Sequence, residues 1–392
     1  MVSNPRKFAP TQHDIAHALG VSQSTVALAL NSRQQHKLLP DTVAKVQAKA
    51  TEMGYRPQRF AQMLRNRRSR VIGLVVQSGA HADSNDRIRL VANRLHNRGY
   101  RVVAVDLDWF GGDMHDVENY LLDASVEGIM LCQTDQRVDP EWTATFTDRG
   151  IPILNFLGAA SPDLPDVRPA MANAFYHLTR HVLLAGSRRP ALLPGPASRT
   201  LPSADWMITA AETGFRRAIE TVGFTLDEPW VIRPTRIRTD SAHEFARQTL
   251  REMAASGAMP DAFVCLTDEL ALGALAALAE RDARVPDSVR VSGFDDTPSA
   301  RYANPSLTSV RWPNAPMAER AAEAIVAGVE KRPLPEMVGG FPCEVVVRRS
   351  TCSEADAKRL AGEGFFGADP DGTILENWAP SAPPRQLDLL NL

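Results

Sequence analysis

Cysteine is scarce in this chain of 392 residues: Cys132, Cys265, Cys343 and Cys352 stand apart, with no CxxC pair and no histidines at ligand spacing. Such thiols read as reduced packing residues of a cytosolic protein. Long apolar runs are missing too. No stretch approaches the roughly 18 apolar residues of a membrane span, and the first turns of sequence lack the uninterrupted apolar segment of a signal peptide. Membrane insertion and secretion are therefore not expected. No GxGxxG follows the first strand-like segment and no GxxxxGK[ST] occurs, so two common nucleotide-binding signatures of α/β enzymes are lacking. His177 and His181 lie four apart on a helix without the Glu of HExxH, and read as residues of a solvated or interface face. Asp295-Asp296 offers two carboxylates, but no histidine or further carboxylate lies at helpful spacing. The sequence thus points to no catalytic residue, no metal and no cofactor.

Charge of one sign is nearly balanced overall, with 44 Lys/Arg against 46 Asp/Glu, yet its distribution is uneven. Residues 1–70 hold 12 Lys/Arg and 3 Asp/Glu, a charge of +9, leaving 32 against 43, or −11, for the rest. A basic head on an acidic body suits phosphate binding, since each neutralised phosphate releases counterions.

The head has a readable pattern. Thr11 followed by Asp14 is a capping-box-like start, and Ile15, Ala18 and Leu19 fall at helical spacing before Gly20 stops the helix. Ser22 can cap a second helix, while Val21, Val26 and Leu30 supply contacts to the first. Two short helices across a tight glycine turn make a helix-turn-helix unit. In such a unit the second helix offers its N-terminal residues, here Gln23, Ser24 and Thr25 with Leu28 a turn later, to base edges in the major groove. An αα-hairpin of some other helical domain is the plainer alternative, and the basic charge argues against it. Pro40 opens a third helix with Val43, Val46, Ala50 and Met53 at spacings of three and four, and Gly54 ends it. A head of about 45 residues buries little area and is expected to be marginally stable alone. The segment Tyr55 to Arg68 is too short and basic to hold a helix by propensity, so it either folds against DNA or is a linker.

From Val71 the pattern alternates between short apolar runs and amphipathic helices. Val71 to Val76, Val102 to Val105, Ile129 to Cys132 and Ile151 to Phe156 read as buried parallel strands. Ala191 to Leu193, Trp230 to Ile232, Ala262 to Leu266 and Val289 to Gly293 form a second set. The economical reading is two doubly wound lobes with a ligand crevice where strand C-termini face each other. The stretch after Ser353, with Gly362, Gly364 and Gly367 and then many prolines, reads as a flexible extension.

Residues 11 to 65 resemble the head and hinge of the LacI/GalR family of bacterial transcription regulators. The resemblance is carried by Asp14-Ile15-Ala16, Gly20-Val21-Ser22, Ser24-Thr25-Val26, Leu30-Asn31, Pro40-Asp41-Thr42, Gly54-Tyr55-Arg56-Pro57 and Ala61, with Leu64-Arg65 after it. The body matches at Ile72 to Val76, Thr267-Asp268-Glu269-Leu270-Ala271-Leu272-Gly273, Val285-Pro286, Gly293-Phe294-Asp295-Asp296 and Leu307 to Val310. The resemblance implies an all-α helix-turn-helix head on a two-lobed α/β body like the type I periplasmic binding proteins. Its expected divisions are a DNA-binding domain 8–56, a hinge and linker 57–70, an effector-binding and dimerisation domain 71–350, and an extension 351–392. It further implies a homodimer, double-stranded operator DNA as partner, and a small-molecule effector such as a sugar between the lobes. DNA contacts would come from Thr11, Ser22, Gln23, Ser24, Thr25, Leu28, Asn31, Tyr55, Arg56, Arg59, Ala61, Leu64 and Arg65. The position of Leu64 would wedge between base pairs in the minor groove, with Arg59 and Arg65 neutralising phosphates.

Departures from the family pattern bear on the effector. Ala27-Leu28 replaces the usual Ser-Arg, and Leu39 replaces the usual Ser before Pro40, removing a helix cap generally worth about 1 kcal/mol. In the crevice Asp295 keeps a carboxylate, whereas Ala211, Leu157 and Thr267 stand where the family carries Arg, Asp and Asn. Polar Gln77-Ser78-Gly79-Ala80-His81 replaces the usual aromatic lid. The expected effector residues are therefore Ser78, Trp206, Ala211, Thr267 and Asp295, with Asp205 and Trp206 in the long loop after Pro196 as substitute contacts. Such a crevice should bind an ordinary pyranose poorly. The leading expectation is a cytoplasmic transcription regulator, a repressor controlled by a small molecule. A ligand-independent regulator with a degenerate pocket is the alternative, and an enzyme or a transport solute-binding protein are the weaker rivals.

Overall fold

A computed structural model describes residues 10–30, 34–55, 68–76, 84–132, 138–157, 164–195, 205–223, 230–232, 241–257, 259–335, 340–352, 367–368 and 374–376. The chain divides into two units, 1–69 and 70–392.

The first unit contains α1 (Gln12–Leu19), α2 (Gln23–Ala29) and α3 (Pro40–Glu52). Gly20 adopts a left-handed φ of 65°, which lets the chain reverse after α1 without a Cβ clash. Ile15, Val26 and Val46 are fully buried, and Ala16, Ala29 and Ala50 complete the small core. Half of these residues are alanines, so little apolar volume leaves water and the head has a thin core.

The second unit holds two parallel sheets. In the first lobe β1 (Val71–Val76), β2 (Arg101–Asp106), β3 (Gly128–Cys132), β4 (Ile153–Phe156) and β5 (Asp166–Val167) lie in the order β2-β1-β3-β4-β5. Every residue of β1 and β3 is buried, as continuous apolar runs predict for strands covered on both faces. Helices α4 (Ser84–Asn97), α5 (Met114–Asp123) and α6 (Pro140–Thr147) connect them. Gly73 lets α5 approach β1, since a Cβ there would lie 2.5 Å from the Leu121 side chain.

The second lobe repeats the winding. Strands β6 (Pro190–Leu193), β7 (Trp230–Val231), β8 (Ala262–Cys265) and β9 (Arg290–Ser292) lie in the order β7-β6-β8-β9, all parallel. They alternate with α7 (Met171–Leu184), α8 (Asp205–Val222), α9 (Ala242–Ala255) and α10 (Asp268–Ala279), and the short α11 (Pro298–Tyr302) follows β9. Each order reverses beside its first strand, so the carboxyl ends of β1 and β3, and of β6 and β8, are the switch points where open α/β sheets bind ligands.

Two features of this unit differ from what periodicity suggests. After β10 (Ser309–Arg311) the chain returns to the first lobe, where α12 (Asn314–Val329) packs on α4, β3 and β4. Glu319 of α12 pairs with Arg94, at 3.0 Å, and with Arg98. Within the extension, β12 (Gly367–Ala368) and β13 (Ile374–Glu376) complete an antiparallel sheet in the order β10-β11-β13-β12, where β11 is Glu344–Val347. Read as a flexible extension, this stretch has no apolar run of its own, and the structure places these five residues in pairing because β11 offers an unpaired edge.

Candidate DNA interface and inter-lobe site

The head geometry follows from its caps. Thr11 and Asp14 form the reciprocal box: the Asp14 carboxylate accepts from the Thr11 backbone N–H at 2.7 Å and the Asp14 N–H donates to Thr11 Oγ1 at 3.3 Å. The hydrogen bond from the Thr11 backbone holds the Asp14 carboxyl below its ordinary range. Ser22 caps α2 by accepting from the Thr25 N–H at 3.1 Å, and its hydroxyl also meets Ser24 Oγ at 2.7 Å and Thr25 Oγ1 at 2.8 Å. Gln23 and Ser24 are exposed at the start of α2, whereas Thr25 and Leu28 are half-buried. Tyr55, expected at the DNA, packs on the head core and donates its backbone N–H to the Ala50 carbonyl at 2.8 Å. Leu39, ahead of α3, supplies no side-chain cap and is 74% exposed. Asn31, Arg56, Arg59, Ala61, Leu64 and Arg65 lie outside the described residues.

Of the expected effector residues, Ser78 lies outside the described residues. Trp206 was expected on a loop but sits in the first turn of α8, half-buried, with the Arg168 guanidinium 4.8 Å from its ring centre. An acidic residue such as Asp205 favours the first turn of a helix, and the apolar spacing of Ile208, Ala211 and Phe215 extends the pattern back to it. Ala211 is fully buried. Thr267 caps α10, its hydroxyl accepting from the Leu270 N–H at 3.2 Å. Asp295 has a left-handed φ of 121° and accepts from the Trp312 indole N–H at 2.8 Å. A non-glycine residue held in that region costs of order 1–3 kcal/mol, and the surrounding packing must hold it there.

Asp268 and Arg87 were not singled out from sequence as site residues. Asp268, fully buried at the start of α10, accepts from Ser309 Oγ at 2.5 Å, the Thr297 N–H at 2.7 Å and Thr297 Oγ1 at 3.0 Å. Burial outweighs those bonds and pushes its carboxyl up to about 6. Asp296 is held by Arg311, at 2.7 Å, and by the buried Arg348, so its carboxylate serves ion pairs rather than a metal. Among the described residues no group of His, Cys, Asp and Glu could hold a metal ion. Arg87 of α4 is 1% exposed and stacks on Trp312, its guanidinium carbon 4.5 Å from the ring centre. A legible signal for it existed: Arg87, Val91 and Leu95 share one helical stripe, so a cation stands in an apolar row. His181, read with His177 as part of a solvated or interface face, is buried in the chain itself and meets Thr351 Oγ1 at 2.9 Å, while His177 is half-buried. The stripe of α7 that carries His181 also carries Ala174 and Leu178, and it faces the second lobe's core.

A family model for a periplasmic binding protein-like domain matches residues 179–351. An HTH-type transcriptional repressor named PurR from Yersinia enterocolitica is 27% identical over 350 residues, 87% of this chain and 96% of that protein. An HTH-type transcriptional regulator from the aml 5′ region of Streptomyces limosus is 31% identical over 349 residues, 87% of this chain and 94% of its own. This chain belongs to the LacI/GalR family. Structures share the family fold: the Lac repressor dimer bound to operator and the anti-inducer ONPF matches with a TM-score of 0.71 at 22% identity, over 88% of this chain and 100% of that one. A CelR–cellobiose complex matches with a TM-score of 0.59 at 23% identity, over 87% and 99%. As a LacI/GalR member this protein is a DNA-binding transcriptional regulator and not an enzyme. Among the described residues no helix is long and apolar enough to cross a membrane.

Proposed function

We propose that this protein is a cytoplasmic repressor that binds a pseudo-palindromic operator as a homodimer, with domains bounded as 8–56, 57–70, 71–350 and 351–392. The observation that carries this is the head: a doubly capped helix-turn-helix unit, with Gln23 and Ser24 exposed at the start of its second helix, in a segment of charge +9. Thr11, Ser22, Gln23, Ser24, Thr25 and Leu28 read the major groove and its phosphates, with Asn31, Tyr55 and Arg56 beside them. Arg59, Ala61, Leu64 and Arg65 serve the minor groove. The hydroxyls of Ser22, Ser24 and Thr25 hydrogen-bond one another, and each keeps acceptor capacity for a base edge or a phosphate-bound water. Exposed aromatic rings on the first lobe, Trp109 and Tyr120 with Phe110 6.0 Å from Tyr120, favour a second copy as the partner of that face.

Control by a small molecule between the lobes is the leading reading, through Ser78, Trp206, Thr267 and Asp295, with Ala211 behind them. A structural relative in complex with cellobiose and another bound to the anti-inducer ONPF support it. A ligand-independent regulator is the second reading, favoured by the Asp295–Trp312 hydrogen bond, which engages one oxygen of that carboxylate from within. Selection of duplexes from a random pool, with and without a metabolite extract, tests both. Leu64→Ala should weaken binding to the selected duplex far more than to random DNA, because a wedge gains only where the central step kinks easily. Equal losses on both DNAs would refute the hinge assignment.

A further inference from the structure

Trp312 stands at the point where the chain leaves β10 and enters α12, so it belongs to both lobes at once. Behind it, the bridge between Ser292 and Thr308 and the bond from the Asp295 N–H to the Val310 carbonyl at 2.9 Å tie this strand to the second lobe. Ahead of it, Pro313 begins the helix that packs on α4 of the first lobe. Its indole faces both ways. The N–H donates to Asp295 of the second lobe, and the ring edge packs against Phe294, 5.4 Å away, which stacks in turn on Phe175 at 5.0 Å. The ring face carries the guanidinium of Arg87 from the first lobe.

We infer that Arg87, Trp312 and Asp295 form a built-in latch between the lobes, in which the indole is the shared partner of a first-lobe guanidinium and a second-lobe carboxylate. A guanidinium buried to 1% exposure is tolerated only where aromatic or polar partners replace its water, and the Trp312 face is such a partner. A carboxylate acceptor makes the indole N–H bond stronger than a neutral pair. The lobes are therefore held in one relation by the chain's own side chains, and a molecule that draws on Asp295 Oδ1 must compete with the Trp312 indole. This rests on the second lobe's Asp295 facing the effector position, and it supplies the regulation of that site: a high threshold for small molecules.

Hydrogen exchange on the full chain tests the latch. Trp312→Phe keeps a ring for Arg87 and Phe294 but has no N–H, and amides of 292–297 and 308–312 should exchange about tenfold faster, the loss expected for one bond to a charged acceptor. Asp295→Asn keeps an acceptor oxygen and should stay closer to wild type than Trp312→Phe does. In both variants the amides of β1 and β6 should keep wild-type protection, which reports intact folding of each lobe. Unchanged exchange in Trp312→Phe, or equal loosening through both sheets, overturns the latch. Duplex selection with wild-type protein is run beside it: absence of any preferred duplex would count against the regulator reading and leave the exchange result standing on its own.

Discussion

Gly214 offers a sharp test of how the second lobe is packed. It lies in mid α8, where alanine is the better helix former by roughly 1 kcal/mol, so propensity alone says that Gly214→Ala stabilises. The structure says otherwise. A Cβ at this position would run into the carbonyl oxygen of Ala172 and lie 2.7 Å from the Tyr176 backbone nitrogen and 2.9 Å from the Phe175 Cβ. Two of these atoms are α7 backbone and cannot swing aside, so α7 and α8 must separate. Overpacking of this kind typically costs about 1–3 kcal/mol, which meets or exceeds the propensity gain, and with rigid backbone as the obstacle Gly214→Ala should lower stability by up to about 2 kcal/mol net. The displacement reaches further, because Phe175 stacks on Phe294 and Phe294 on Trp312. Urea denaturation read by far-ultraviolet circular dichroism gives the change, with Thr213→Ala on the exposed face of the same helix as the propensity control. A Gly214→Ala protein as stable as the Thr213→Ala protein would show that the helix pair is not held at this separation.

The pH dependence of stability should carry two opposing signs. Burial, aided by Arg290, lowers His181 from 6.5 to about 4, so the unfolded chain takes up the proton first and stability falls as pH drops from about 6.5 towards 4. Half-buried His177, lowered to about 4 chiefly by burial, adds to the same fall. Asp268, raised from 3.8 to about 6, contributes stability that is fully present below 3.8 and lost as pH rises through 6. Urea midpoints between pH 7 and 4.5 should therefore fall more steeply in Asp268→Asn and more shallowly in His181→Gln than in wild type; identical slopes in all three would sink this account. In the head, Ser22→Ala should cost about 1 kcal/mol through loss of the α2 cap, seen as faster amide exchange of Gln23 to Val26. Gln23→Ala should reduce binding to the selected duplex by about 1–3 kcal/mol while leaving random-sequence binding unchanged, measured by fluorescence anisotropy at fixed salt. A uniform loss on both DNAs would move Gln23 from base reading to phosphate contact.

The caps of the head were legible in the sequence because they are local. Thr11 with Asp14, Gly20 and Ser22 act within four residues of themselves, and the structure forms the bonds that spacing suggests. The strands β1, β3 and β8 were legible for a related reason: a strand buried on both faces leaves a continuous apolar run whatever it packs against. What no local pattern carried was where separate elements meet. Periodicity assigns α12 to whichever lobe precedes it, and only the packing of its apolar face on α4, β3 and β4 returns it to the first. The same holds for Arg87, Asp295 and Trp312, which stand 208 and 17 residues apart along the chain. Their joining depends on burial that makes a stacked guanidinium and an indole hydrogen bond more favourable than the alternatives, and burial is decided by the whole fold rather than by any neighbour in the chain.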